Sequence, residues 1–462
     1  MLIEEHLKGT IYIPIHNGDE SYRIIEHDFT ENDVIHNSCS ITSRCCDDKT
    51  FSIGGVRPAE LSIKLRIKLP DVNAYTLYGA KIRLYSRYFD NPWMLRGEFW
   101  VTSAKRTKNI YTIRASDALI WLDSGSYASE FGQTSKPEDN PIYKKFTASM
   151  CPSSMIWEEI FKTANADLES AGIDKLKYEI REDVPNWSTT VSEYNNTKFG
   201  YCLIGTDNAG SCASRSPRDY ASYMAQIAAG CVQVLVSPDE PENAKIYVTP
   251  YGYSPNHIDG KNDELFIKSW EEPVKIGYEE IELDSCDIAD YELYVHMTYV
   301  KTYDETGWSC GGIKKKYQGN LVVDFSGNPF LDGRWSWKDE LGLWDYEKPS
   351  LVFGVLVKAG EQLGSIAKRP FSLKCYHAFK SLAELPKLGQ RIEIEEKPGT
   401  WKESFITKMI WHFRGGWEFG CAGSDSRVLS QAAKKVLQAM LKIMQNRMQI
   451  SLQIVLAEML RK

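Results

Sequence analysis

The 462-residue chain is predicted to be α+β and mostly β: two antiparallel β-barrel domains flanking a small α+β domain, plus a long C-terminal helix. Three observations predict this. In LSIKLRIKL, Leu61, Ile63, Leu65, Ile67 and Leu69 alternate with Ser62, Lys64, Arg66 and Lys68. Side chains two apart share one face of a strand, so this run lays an apolar face on a core and turns a basic face away from it. In SPRDYASYMAQIAAG, Ser216 is placed to cap a helix, Pro217 sits at its first position and Gly230 stops it. Between Leu429 and Ala457, apolar residues recur at seven with no Gly or Pro, the spacing of an amphipathic helix with a heptad seam.

Taken in order, Thr10–Ile15 and Tyr22–Ile25 alternate around the turn signal His16-Asn17-Gly18-Asp19 and read as a hairpin. A strand is expected within 33–46, and the glycine pair 54–55 marks a bend or bulge before the strand at 61–69. Strands are then expected at Lys81–Tyr88, Glu98–Thr107 and Asn109–Ala115, closed by a short apolar helical turn that Ser116 or Asp117 would cap. These elements make a first barrel over 1–124. Residues 125–274 form a polar connection and an α+β middle domain. Its helix carries Tyr220, Tyr223, Met224, Ile227 and Ala228 as an apolar stripe, and the strands CVQVLVS and KIYVTP follow, joined by SPDEPENA.

A second barrel is placed at 275–422, from strands at Tyr291–Val300, Ile313–Tyr317, Leu321–Asp324, Phe371–Phe379, Arg391–Glu395, Glu403–Phe413 and Trp417–Cys421, with a glycine-weakened helix at Ser350–Ala367. The segment 423–462 is one amphipathic helix. Leu429, Val436, Ile443 and Ile450 form one line of its seam, and Met440 and Ile454 lie on the other. From 427 onward it holds seven Lys/Arg against one Glu, a formal +6 over roughly 54 Å of helix. Three uses fit it: a trimeric or heteromeric coiled coil, a helix docked in a partner's groove, or a helix lying on a membrane surface.

Composition narrows the function class. A hydrophobic content of 43% with 25% charged residues is that of a soluble globular chain, and 12% aromatic residues, including 25 Tyr and 13 Trp, favour β architecture and large contact surfaces. A formal charge of −7 argues against specific nucleic-acid recognition. Eleven Cys without a CxxC pair suit synthesis in a reducing compartment such as a cytoplasm. The start MLIEEHLKGT has no signal-peptide pattern, and no 18-residue apolar run supports a stable membrane span.

Motifs for chemistry are weak. HExxH, Walker and GxGxxG patterns are absent from the sequence. No catalytic residue, metal ligand or cofactor is therefore assigned. His296, His377 and His412 read as rim or packing residues rather than bases. Asp287, Asp290 and Glu292 have the composition of a glycosidase carboxylate pair, but lie in a run with nine acidic residues and one Lys between Glu271 and Glu292, and read as a solvated acidic face. Lys314, Lys315 and Lys316 read as a solvated turn. Trp335, Trp337 and Trp344 crowd one segment. Indoles stack on sugars and anchor protein interfaces; interface or core is the preferred reading, with Trp335 and Trp337 as interface candidates.

The order CSITSRCCDDKTFSIGGVRPAELSIKL, YGAKIRLY, GEFWVTSAKR, YTIRASDALIWLD, SPRDYASYMAQIAAGCVQV, GNPFLDG and ITKMIWHFRGGWEF resembles hub-type tail proteins of phages and phage-like particles from Gram-positive hosts. The resemblance covers roughly residues 1–422. It implies a homotrimeric structural protein of the virion or phage-like tail, at the baseplate or tail tip. Such a protein would cap the sixfold tail tube with two barrels per chain and connect it to a spike or tip protein. The tail tube protein, tape measure protein and baseplate proteins are the other implied partners, in a contractile injection system or a bacteriocin-like particle. A tail-associated peptidoglycan hydrolase or glycan-binding tip is the alternative.

Overall fold

The computed structural model describes residues 4–16, 22–46, 51–69, 77–123, parts of 161–178, 216–227, 230–251, 273–289, 292–300, 307–311, 317–324 and 369–421. The expected 423–462 helix, the 350–367 helix and Trp335, Trp337 and Trp344 lie outside the described residues, as do Leu429, Val436, Met440, Ile443, Ile450 and Ile454.

The strands in the first quarter are β1 Glu5–His16, β2 Tyr22–Thr30, β3 Ser40–Arg44, β4 Gly55–Val56, β5 Glu60–Arg66, β6 Lys81–Tyr88, β7 Met94–Thr107 and β8 Ile110–Ser116, followed by a 3-10 turn at Ala118–Asp123. Then come α1 Pro217–Ile227, β9 Gly230–Val236 and β10 Ala244–Pro250. The last strands are β11 Val274–Ile276, β12 Asp287–Ile288, β13 Glu292–Val300, β14 Gly307–Gly311, β15 Tyr317–Asp324, β16 Phe371–Cys375, β17 Arg391–Lys397, β18 Thr400–Phe405, β19 Lys408–His412 and β20 Gly416–Cys421.

The chain is mostly β, and its sheets are mostly antiparallel, as the alternation requires. In β5 burial runs exposed-buried with Leu61, Ile63 and Leu65 inside, and in β6 Ile82, Leu84, Ser86 and Tyr88 point inward. The strand expected over 61–69 ends at Arg66, although Ile67 and Leu69 stay buried. The single strand expected over 403–413 is two strands, interrupted at the fully buried Ile406 and Thr407. There the backbone changes sheet: Ile406 N bonds Gln390 O, whereas Thr407 N bonds Gly420 O.

The two barrels expected from the sequence are not seen as closed barrels among the described strands. The described strands of both regions form one 11-stranded sheet in the order β12-β16-β20-β19-β3-β5-β8-β7-β6-β1-β2, with no backbone pairing that closes it. The junction is β3–β19, where Ser40 faces His412 and Arg44 faces Lys408 in antiparallel register. A strand has two edges, and β3 gives one to β5 and the other to β19. Three-stranded sheets β10-β9-β4, β11-β17-β18 and β14-β13-β15 complete the described topology, and each includes one parallel pair.

The middle helix starts as expected: Ser216 N donates to Asp219 Oδ2 at 2.9 Å, and Asp219 N donates back to Ser216 Oγ at 3.4 Å, a reciprocal cap. Of the expected stripe, the side chains of Tyr220, Met224, Ile227 and Ala228 lie outside the described residues. Ala221 and Ala225 are fully buried, while Tyr223 is partly buried. Small residues win because the helix lies against backbone: Ser222 Oγ donates to Gly54 O at 2.6 Å.

Gly55 is equally close-packed on the other side. A Cβ there would stand 1.8 Å from Cys45 O, inside any permitted contact. Gly55→Ala is expected to destabilise the chain by about 1–3 kcal/mol or more, through forced backbone displacement. Chemical denaturation of the purified variant checks this; an unchanged midpoint would mean the β4 strand is not held against Cys45.

Candidate functional site

The most elaborate arrangement of polar groups lies where the N-terminal and C-terminal strands meet face to face. Glu5, at the start of β1, is 2% exposed. Its Oε1 accepts from Trp411 Nε1 at 3.0 Å, and its Oε2 accepts from the Arg414 amide at 2.7 Å. Arg414 Nε also donates to the Glu5 carbonyl at 3.1 Å. The amide reaches Glu5 because the β19–β20 turn is tight: Arg414 has φ 57° and Gly416 φ 77°. Side-chain bonds thus join β1 to β19 and its turn, which are not neighbours in the 11-stranded sheet.

Arg96 of β7 answers the charge. Its side chain is 3% exposed, and Nη2 lies 3.7 Å from Glu5 Oε1. Its Nε donates to Ser86 Oγ at 2.6 Å. The guanidinium sits 5.0 Å from the Trp411 ring, 5.4 Å from Trp417 and 5.6 Å from Tyr88. Indole and phenol faces carry negative quadrupole charge, so the cation is held by rings where oxygen acceptors are missing. Trp417 Nε1 donates to Tyr88 Oη at 3.2 Å. Burial raises the Glu5 carboxyl above its ordinary range, opposed by the Arg96 charge and the bonds from Arg414 and Trp411. Beside the cluster is a cavity of about 100 Å³, whose wall includes Leu95, Arg96, Asp117, Lys387, Trp411 and Trp417.

A second joint ties the middle elements to both β regions. Asp117 is the cap of the 3-10 turn: its two oxygens accept from Ala59 N and Leu119 N, each at 3.0 Å. Burial lifts its carboxyl to about 7, against those bonds and the charge of Arg218. Arg218 of α1 spans the joint, donating to Asp123 Oδ1 at 2.6 Å, Val56 O at 2.6 Å and Leu119 O at 2.8 Å. On the far side, the buried Gln233 of β9 donates to Thr249 Oγ1 and Leu388 O and accepts from Leu388 N.

Of the residues weighed for chemistry, His377 Nδ1 contacts Glu280 Oε1 at 2.7 Å and His412 Nε2 contacts Glu418 Oε1 at 2.9 Å. Each imidazole is thus held by a carboxylate of a neighbouring segment. Asp287 lies in β12, paired opposite Ser372. Asp290, Lys314, Lys315 and Lys316 are outside the described residues, as are the side chains of Glu292 and His296. Sequence reasoning missed Glu5 and Arg96. The available signal was a Glu and an Arg at ordinary strand positions, and nothing in the pattern says they are buried together. Cys39, Cys45, Cys46, Cys231, Cys375 and Cys421 are buried and Cys286 is half-buried. Burial raises the Cys45 thiol, whose Sγ donates to Thr407 O at 3.3 Å.

No family model matches the chain, and no curated protein matches it. Among solved structures, the tail protein from Neisseria meningitidis MC58 is similar at 9% identity over 90% of this chain and 95% of that one, with a TM-score of 0.41. The Francisella PdpA-VgrG complex in its lidded form is similar at 8% identity and a TM-score of 0.41, over 91% of this chain and 53% of that one, so this chain spans about half its length. The virion of a native gene transfer agent particle matches 26% of this chain and 42% of its own at 11% identity, with a TM-score of 0.17. At these identities and scores the likenesses fix neither fold nor function.

Proposed function

We propose that this chain is a structural hub of a phage tail or a related injection particle. Three copies cap the sixfold tail tube and connect it to a separate spike or tip protein. The tape measure protein and baseplate proteins are further contacts. Each chain contributes two β lobes, so three chains present six units to the tube, and a threefold ring stacks on a sixfold one. One observation carries the reading. The first and last landmarks of the hub-like pattern, at 39–65 and 406–419, are neighbours in space, with Ile41 opposite Trp411 in β3–β19. These two landmarks share one sheet, and Glu5 of β1 is bonded to Trp411 in the last of them.

Particles purified from a producing strain test this. Cryo-EM with the chain tagged should place it at the distal end of the tube, and mass photometry of the free chain should show a species near three times 52.7 kDa. Absence from the particles, or clearing of peptidoglycan by the purified chain on a zymogram, would overturn the structural reading.

A further inference from the structure

The strand that begins the core also begins an open basic surface. Outward positions of β5, β8 and β7 form cross-strand rows: Ser62, Arg114 and Ser103; Lys64, Thr112 and Lys105; Arg66, Ile110 and Thr107. The cations alternate with hydroxyl or apolar neighbours, so none stands directly opposite another; like charges in opposed positions would weaken the sheet. Lys64, Arg66, Lys105 and Arg114 are exposed, and among the described residues none of them forms an ion pair with a carboxylate. By contrast Lys81 and Arg83 on the neighbouring β6 are paired, with Asp174 and Glu242. An unneutralised basic face on a chain with net charge −7 calls for an acidic counterpart.

The same chain carries one. The stretch 278–284 with the adjoining β17–β18 ribbon exposes three large apolar side chains, Leu283 at 84%, Trp401 at 48% and Tyr278 at 45%. Acidic groups are set among them: Glu279 and Asp284 are exposed, and Glu395 is held in place by the Tyr278 amide at 3.0 Å. Glu395 is also the register partner of Trp401. Aromatic rings beside carboxylates are a receptor for arginine, because the ring takes the guanidinium face and the carboxylate its edge. Arg, Tyr and Trp are the residues in which protein interfaces are enriched. The basic face carries no aromatic side chain in its rows, and single-stranded nucleic acid needs such rings as stacking platforms.

We propose that the basic β5–β8–β7 face docks on the acidic, apolar strip around Tyr278, Glu279, Asp284 and Trp401 of a second copy of this chain. The two patches differ, so the contact is head-to-tail and generates a ring where the rotation closes. Closure at three copies rests on the hub reading; the pairing of the two faces does not.

Charge reversal of the full chain tests it, read by mass photometry and sedimentation. Lys64→Glu with Arg114→Glu, or Glu279→Lys with Asp284→Asn, should each raise the self-dissociation constant by about tenfold or more. A chain carrying all four changes should recover part of the association, because carboxylates at 64 and 114 then meet an ammonium at 279; that recovery also excludes misfolding as the cause. Wild-type association unchanged by either pair, no recovery in the fourfold variant, or a wild type that stays monomeric would overturn the proposal. So would duplex DNA retention that the basic-face variant loses while its oligomeric state stays the same. The hub reading is judged separately, by the chain's place in particles: an associating chain absent from particles sinks that reading alone.

Discussion

Arg96→Leu is expected to cost about 3–5 kcal/mol of stability, because it leaves the Glu5 carboxylate buried without its countercharge. The pair is deep: Glu5 is 2% exposed and the Arg96 side chain 3%. Removing water from both ions is expensive, and the 3.7 Å separation together with three aromatic faces is what offsets it. The hydrogen bonds from Trp411 and Arg414 remain in the variant, but they do not neutralise the charge. Glu5→Gln with Arg96→Leu should recover most of the loss, since neither ion is then left alone. Denaturant titration of the single and double variants measures the coupling. A single variant within ~0.5 kcal/mol of wild type, the range of ordinary surface changes, would show that the pair does not hold the two lobes.

Asp117 makes the second large effect depend on pH. Its carboxyl is lifted to about 7 in the fold, whereas an unfolded Asp titrates near 3.9. Between those values the folded chain holds a proton that the unfolded chain has released. Stability from this group is therefore fully present below about pH 4 and is lost as pH rises toward about 7. Ionising the group in place costs the fold on the order of 4 kcal/mol. Asp117→Asn cannot ionise and should flatten that slope, so the difference in unfolding free energy between wild type and variant changes from pH 5 to pH 8. Parallel profiles over that range would mean Asp117 is solvated in the native state. The slope is isolated as a difference because Glu31, Glu280 and Glu395 are shifted the opposite way. Bonds from His6, from His377 and from the Tyr278 amide lower them, and their contributions are lost as pH falls.

Much of the local structure was legible. The Lys81–Tyr88 strand, the Ser216 cap and the 3-10 turn at Ala118–Asp123 follow from alternation, a hydroxyl at the N-cap and a carboxylate before a short apolar run. The basic face of β5 was legible too, since period-two alternation fixes which residues face outward. Less legible was the burial of Ala221 and Ala225 in α1. Ala221 and Ala225 carry little hydrophobic signal, and their importance comes from the backbone at Gly54 lying against the helix.

Taken alone, the chain determined its β character, the faces of its strands, the start of its middle helix and the order of landmarks behind the hub reading. These depend on residues within a few positions of each other, where backbone geometry imposes periods of two and 3.6. Only the tertiary structure decided that β3 pairs with β19, and that one sheet joins regions expected to be separate barrels. It also decided that Glu5 lies among Arg96, Trp411 and Arg414. Strand pairing across hundreds of residues depends on which edges remain free once local hairpins form, and the burial of an ion depends on the countercharge that arrives beside it. Neither condition is written in the spacing of neighbouring residues.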